Sequence, residues 1–320
     1  MWEDLPAPEL PTPVPDDPDL LYFFHQIVRF HPVDDFEGYA PGETAEALEA
    51  LDGALSQIVV VDTGDHLEFT MSVAAALLDD SAPAPFGVDV ASDLPSSDTP
   101  AVPEDVVLNA LAGLSAEMDS NADPNQKVFV VLPFGTYNCG AAPSDLLEVL
   151  AGFPSYVHFI VSAGNDETSQ PSFPAAFTAA DYTTGQTGDL HERVTSVGSV
   201  GSDGTTRSCF SNFNPSANSE QPQWIDFWQS GEEVPGSRSK AGGGTENGEW
   251  SGTSFAAPQQ AAQMAAMPEV TPIADPDPQP TRTAVLTLAD PAQPGQTQQV
   301  ETQTFCPAGS DYLRYEQNSP

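Results

Sequence analysis

The sequence predicts an α/β domain with a mostly parallel central sheet. Three observations carry that prediction. Short β-branched and aromatic runs alternate with segments of helical period between residues 57 and 161. The texture then changes to loops rich in Gly, Ser, Asn and Thr that hold only short apolar pieces. Finally, a small-residue turn delivers Ser254 to the start of an alanine-rich stretch that reads as a helix. Sheets of this kind take their ligands beyond the carboxyl ends of the strands.

Residues 1–19 carry Pro6, Pro8, Pro11, Pro13, Pro15 and Pro18 among acids, a leader that cannot bury a core. Residues 20–30 are apolar enough for a strand or a short helix. Residues 44–55 set Ala and Leu at helical spacing between acids and predict an amphipathic helix. The β-branched run at 57–62 predicts a buried strand, closed by the turn chemistry of Thr63-Gly64-Asp65. A helix is expected over 69–78, a strand at 86–90, a helix over 102–118 and a strand at 127–132. Another helix follows at 145–152 and another strand at 156–161. Short strands are expected at 193–200, 209–213 and 224–228. From Pro268 onward Pro, Gln and Thr dominate, with segments 283–288 and 298–304 able to pair as a hairpin. The expected organisation is thus a leader over 1–19, a domain over 20–267 and a tail over 268–320.

Three hundred and twenty residues suffice for a sizeable core. The net charge of −39, from 47 acids against 8 bases, argues against a nucleic-acid partner and keeps the surface solvated. Salt near 1 M shortens the resulting self-repulsion to about 3 Å, so a high-salt setting suits this composition, with an acidic secreted protein as the plainer rival. No apolar run is long enough to span a membrane. The first residues show neither the basic nor the apolar part of an export signal, so the default expectation is cytoplasmic, with a secreted setting left open. Cys139, Cys209 and Cys306 form no zinc pattern and allow at most one bridge; buried or free thiols are the default. Nothing in the sequence addresses oligomeric state.

Ser254 is the candidate nucleophile, at a helix start where the dipole and free N–H groups favour developing negative charge. Gly252 permits close backbone approach, and Pro258 sits in the first turn, where its missing N–H costs nothing. Gly-Thr-Ser alone would read as an ordinary N-cap. Among five histidines, His158 lies in an apolar strand, His25 and His31 flank an apolar stretch, and His191 falls in a polar loop. His66 instead follows a strand and a Gly turn and opens onto Ser72-Val-Ala-Ala-Ala. Phe159-Ile-Val-Ser-Ala-Gly-Asn165 is a strand ending in a turn that presents an amide side chain.

The full run Ser251-Gly-Thr-Ser-Phe-Ala-Ala-Pro258 resembles the nucleophile signature of the subtilisin-like serine peptidases, the subtilases. Ser172-Phe-Pro-Ala, Val194-Thr-Ser-Val-Gly-Ser-Val and Cys209-Phe-Ser-Asn212 resemble further family pieces, in the family's order. The resemblance implies a three-layer domain and a serine endopeptidase acting on polypeptides. It implies Ser254 as nucleophile, His66 as general base and Asn165 as oxyanion donor. The family carries Gly-Thr after its histidine, where this chain has Leu67 and Glu68. Leu132, Pro133, Phe134 and Gly135 fall where the family has the strand edge that pairs with substrate, and Ser162, Ala163 and Gly164 flank the same pocket. Asp62-Thr63-Gly64 has the lettering of the family's aspartate motif but stands only four residues before His66, where the family interposes a strand and loops. The lettering therefore reads as partly coincidental. Counting back from His66 leads to Asp34 or Asp35, with Asp34 the expected orienting acid. No cofactor is required for the chemistry; calcium is the family's usual structural ion, and no EF-hand-type loop locates it. The rival reading is a subtilase-fold protein that binds peptides or partners without efficient catalysis.

Overall fold

The computed structural model describes residues 20–23, 31–32, 57–79, 82–90, 101–120, 127–137, 141–183, 189–240, 243–266, 275–276, 282–289 and 297–305. Two short strands, β1 (Leu20–Phe23) and β2 (His31–Pro32), come first. The alternating core follows as β3 (Ile58–Asp62), α1 (Gly64–Ala75), β4 (Phe86–Asp89), β5 (Ala101–Pro103), α2 (Glu104–Ser120), β6 (Val128–Leu132), β7 (Phe134–Gly135), α3 (Ser144–Ala151) and β8 (Val157–Ser162). Then come a four-residue α4 (Leu190–Arg193), β9 (Val194–Val200), β10 (Phe227–Ser230), β11 (Val234–Ser239), β12 (Thr245–Trp250) and α5 (Thr253–Ala266). The hairpin β13 (Arg282–Ala289) with β14 (Thr297–Phe305) is antiparallel, as its composition suggests.

Six strands form one sheet in the order β10-β9-β8-β6-β3-β4, and every pair is parallel. Period-two side chains divide the sheet between two cores. Val59 and Val61, Val128 and Val130, and Phe159 and Val161 point to the face covered by α2 and α3, against Leu111, Leu114, Leu146 and Leu150. Ile58, Val60, Phe129, Val131 and Ile160 point to the other, against Leu67 and Met71 of α1 and Ala256, Ala257 and Ala261 of α5. The alanines of α5 let that helix lie close on the sheet, which brings its first residue to the carboxyl ends of β8 and β9.

Two small sheets flank this body. One is β5-β1-β7, antiparallel throughout; the other is β11-β12-β2. Several expectations come out differently. Pro258 is the sixth residue of α5 rather than in its first turn, so its ring removes a bond from inside the helix. Residues 209–213 form a turn rather than a strand, held by Ser211 N donating to Ser208 O at 3.0 Å. The glycine- and serine-rich stretch before Ser254 contains the hairpin β11–β12. Cys209 is in a disulfide rather than a free thiol. The helix expected at 44–55 lies outside the described residues, as do His25, Asp34 and Asp35. Among the described residues, no helix is long and apolar enough to cross a membrane.

Candidate active site

Strand β3 ends in Asp62, and the chain turns into α1 through one extended residue, Thr63, and Gly64 at φ +45°. That backbone angle is open to glycine at little cost, and it lets a strand become a helix without a loop. His66, in the first turn of α1, therefore faces back onto Asp62. Its Nδ1 lies 2.5 Å from Asp62 Oδ2, with both side chains buried at 2% and 0% exposure. Asp62 Oδ2 also accepts from Thr70 Oγ1 at 3.2 Å, and Oδ1 accepts from Thr63 N at 2.8 Å. A carboxylate at Asp62 can only accept, an arrangement that calls for the tautomer with the proton on Nδ1.

Aromatic rings wall the imidazole. Trp250, the last residue of β12, meets it edge-on at 5.3 Å between centroids, and Phe255 of α5 at 5.1 Å. Phe69 packs on both of these rings. This cluster seats Phe255, in the first turn of α5 and next in sequence to Ser254, against the histidine. Ser254 is 1% exposed, and its Oγ has no hydrogen-bond partner among the described residues.

Asn165 stands on the other side of the same turn. Its Oδ1 accepts from Thr253 N and Thr253 Oγ1, both at 2.9 Å, which fixes which way the amide faces. A Cβ at Gly252 would stand 3.3 Å from Asn165 Nδ2, so the close approach expected of this glycine is used. Thr253 ties the turn down further: its Oγ1 accepts from Gly164 N at 3.1 Å, and its carbonyl accepts from Ser162 Oγ at 3.1 Å. Asn212 braces the loop from behind. Its Oδ1 accepts from Asp166 N and Thr168 N, and its Nδ2 donates to Ala163 O at 2.7 Å and Tyr137 Oη at 2.6 Å.

The residues expected to border substrate gather at this end of the sheet. Leu132 closes β6, Pro133 follows, Phe134 and Gly135 form β7, and Ser162, Ala163 and Gly164 run from the end of β8. The two departures after His66 have structural occupations. Leu67 is buried in the core beneath α1, and Glu68 accepts from Ser239 N of β11. The neighbouring Asp65 pairs with Arg238 at 3.2 Å.

The carboxylate against His66 is thus that of Asp62, whose lettering the sequence did offer. Thr253 and Asn212 stood in strings that resemble the family's, but the partners through which they and Trp250 act lie 44 to 184 residues away, where no local pattern records them. Among the described residues no three His, Cys, Asp or Glu side chains cluster so as to hold a metal ion.

Fold and grouping define a class: a parallel α/β protein built as serine peptidases are. The model of the subtilase family, peptidase S8, matches residues 56–303, and the chain belongs to that family. Comparison with curated proteins gave no match. Among solved structures, the chain is similar to the prenylagaramide maturation protease PagA, at 18% identity over 65% of this chain and 73% of that one, with a TM-score of 0.45. It is likewise similar to the patellamide maturation protease PatA, at 20% identity over 66% and 78%, with a TM-score of 0.40.

Proposed function

We propose that the protein is a serine endopeptidase in which Ser254, His66 and Asp62 act together and Asn165 receives the oxyanion. The observation that carries this reading is the 2.5 Å contact of Asp62 Oδ2 with His66 Nδ1 on the wall where α5 begins. Asp62 thereby takes the role expected of Asp34. Ser254 Oγ attacks the scissile carbonyl carbon while its proton passes to His66 Nε2. Asp62 stabilises the imidazolium through Nδ1–H. Asn165 Nδ2 and the backbone N–H of Ser254 donate to the carbonyl oxygen as it becomes an oxyanion. Collapse breaks the C–N bond, His66 returns the proton to the leaving amine, and an acyl-enzyme remains for water to hydrolyse by the same steps. The Ser254–His66 hydrogen bond is formed when substrate binds, as catalytic hydrogen bonds commonly tighten in the complex.

The test is covalent labelling with a fluorophosphonate at low and high salt, comparing the unaltered chain with Ser254→Ala. Labelling that vanishes in the variant supports an activated serine. A folded, unlabelled protein at both salts would leave the peptide-binding reading instead.

A further inference from the structure

Asn214 is a buried amide whose orientation the backbone settles. Its Oδ1 accepts from Trp224 N and Ile225 N, both at 2.8 Å, so the oxygen is committed to the stretch that enters β10. One hydrogen of Nδ2 goes to Ile225 O at 2.9 Å. The other goes to a residue beyond the end of α5: Asn214 Nδ2 donates to Asp275 Oδ1 at 2.8 Å.

Trp228 of β10 brings a second donor to the same atom, with Nε1 donating to Asp275 Oδ1 at 3.2 Å. Packing fixes the indole. It lies over Gly198 of β9, where a Cβ would stand 2.3 Å from the ring. Asn214 is 7% exposed and Trp228 2%. Buried N–H groups need acceptors, so two held donors that meet at one point call for an oxygen there. Charge decides which kind. The Arg207 guanidinium stacks 4.1 Å over the Phe213 ring, and burial lowers its pKa while the charges of Glu167 and Asp275 act the other way. Only 8 bases serve 47 acids in this chain, so a half-buried arginine beside Asp275 marks the spot for a carboxylate.

We propose that Asn214, Trp228 and Arg207 form a carboxylate pocket on the peptidase body, and that Asp275 fastens the C-terminal segment by occupying it. The ligand is an aspartate on an extended, proline-flanked segment. Pro276 holds Asp275 to extended backbone, so less freedom is lost on docking. The pocket also touches the oxyanion side of the molecule. Arg207 and Asn214 flank Asn212, the brace of that turn, and Glu167 stands two residues after Asn165. The clasp rests on none of the catalytic assignments.

Two readouts test it on the full chain carrying Ser254→Ala, which removes the candidate nucleophile from both. The chain has four tryptophans, so its indole N–H signals in a nitrogen–proton correlation spectrum are few, and the one lost in Trp228→Phe is that of Trp228. Asp275→Ala is expected to move that signal and Asp277→Ala to leave it in place. A folded Asp275→Ala chain with the Trp228 signal unmoved overturns the pocket. Thermolysin, which cuts before apolar residues, reports on the fastening through cleavage at Val270 and Ile273. Its rate there is expected to rise about tenfold in Asp275→Ala, since cleavage tracks the population of the open form. Equal rates in Asp275→Ala and the parent overturn the fastening, and so does an equal rise in Asp277→Ala, which would make the effect one of general charge. A Trp228 signal that moves on dilution of the parent would place the aspartate on a second copy and overturn the internal arrangement.

Discussion

Asp62 and His66 meet across four residues, with Nδ1 to Oδ2 at 2.5 Å, because a strand passes into a helix through Thr63 and Gly64 alone. The expected consequence is strong dependence on the carboxylate. In Asp62→Asn the amide keeps the shape but can donate to Nδ1, which moves the imidazole proton to Nε2, the atom that must accept from Ser254. A fall in kcat of ~10⁴ is expected, the order seen when the same exchange is made in the chymotrypsin-type triad. Asp34→Ala is expected to leave kcat within a few-fold. Peptide hydrolysis by both variants, after circular dichroism shows each folded, decides between the two acids.

Asn165 should matter through kcat rather than KM, because the oxyanion exists only in the transition state. Asn165→Ala is expected to lower kcat by ~10²–10³, a magnitude first measured for the corresponding donor of subtilisin and carried over here. Gly252→Ala should act in the same direction but less, since the new Cβ at 3.3 Å presses on Asn165 Nδ2. If either variant raised KM with kcat unchanged, Asn165 would be binding ground-state substrate instead.

The large features were legible because they rest on local pattern. The runs at 58–61, 128–131 and 159–161 are β-branched or aromatic, and they lie in strands paired on both sides. Ser254 and Asn165 stood in strings too specific to miss. Asp34 was expected because the spacing of Asp62 to His66 was judged against a pattern with an intervening strand. Gly64 at φ +45° instead turns β3 directly into α1 and sets Asp62 against His66; Asp34 itself lies outside the described residues. The hairpin β11–β12 was hidden for another reason. Gly236 lets the strand lie on Phe69 and Ser72, and Ser237 N donates to Ser72 Oγ at 2.8 Å, a contact 165 residues long that no local pattern records.

The brace behind the oxyanion turn predicts a stability effect. Asn212 is fully buried, and its Oδ1 serves two backbone donors. Asn212→Ala takes that acceptor from Asp166 N and Thr168 N and removes donors from Ala163 O and Tyr137 Oη, at an expected cost of about 3 kcal/mol. Urea unfolding should show a lower midpoint with an unchanged m-value. A midpoint equal to the parent's would mean that water replaces the amide at no cost.

Cys209, three residues before Asn212, is disulfide-bonded, which makes a count of thiols informative. One bridge among three cysteines leaves one reactive thiol per chain in denaturant without reductant, and three with it. Reduction should also lower the unfolding midpoint, since the bridge restricts the unfolded chain. Three thiols in the unreduced protein would contradict the bridge.

His158 supplies a pH effect distinct from that of the active site. It lies on β8 at the far end from Ser254, where burial, then the charges of Lys127 and Arg193, push its pKa down to about 4; Asp189 and Glu192 line the same recess. The folded chain therefore keeps His158 neutral in a range where the unfolded chain, with an ordinary value near 6.5, binds a proton. Stability rises with pH wherever the unfolded state holds more protons, so this contribution is complete above about 6.5 and is lost as pH falls toward 4. His158→Gln removes the titrating group. Between pH 6.5 and 5 the parent should lose more unfolding free energy than the variant, and this difference cancels the carboxylates common to both. Parallel stability profiles over that range would show that His158 is as easily protonated folded as unfolded.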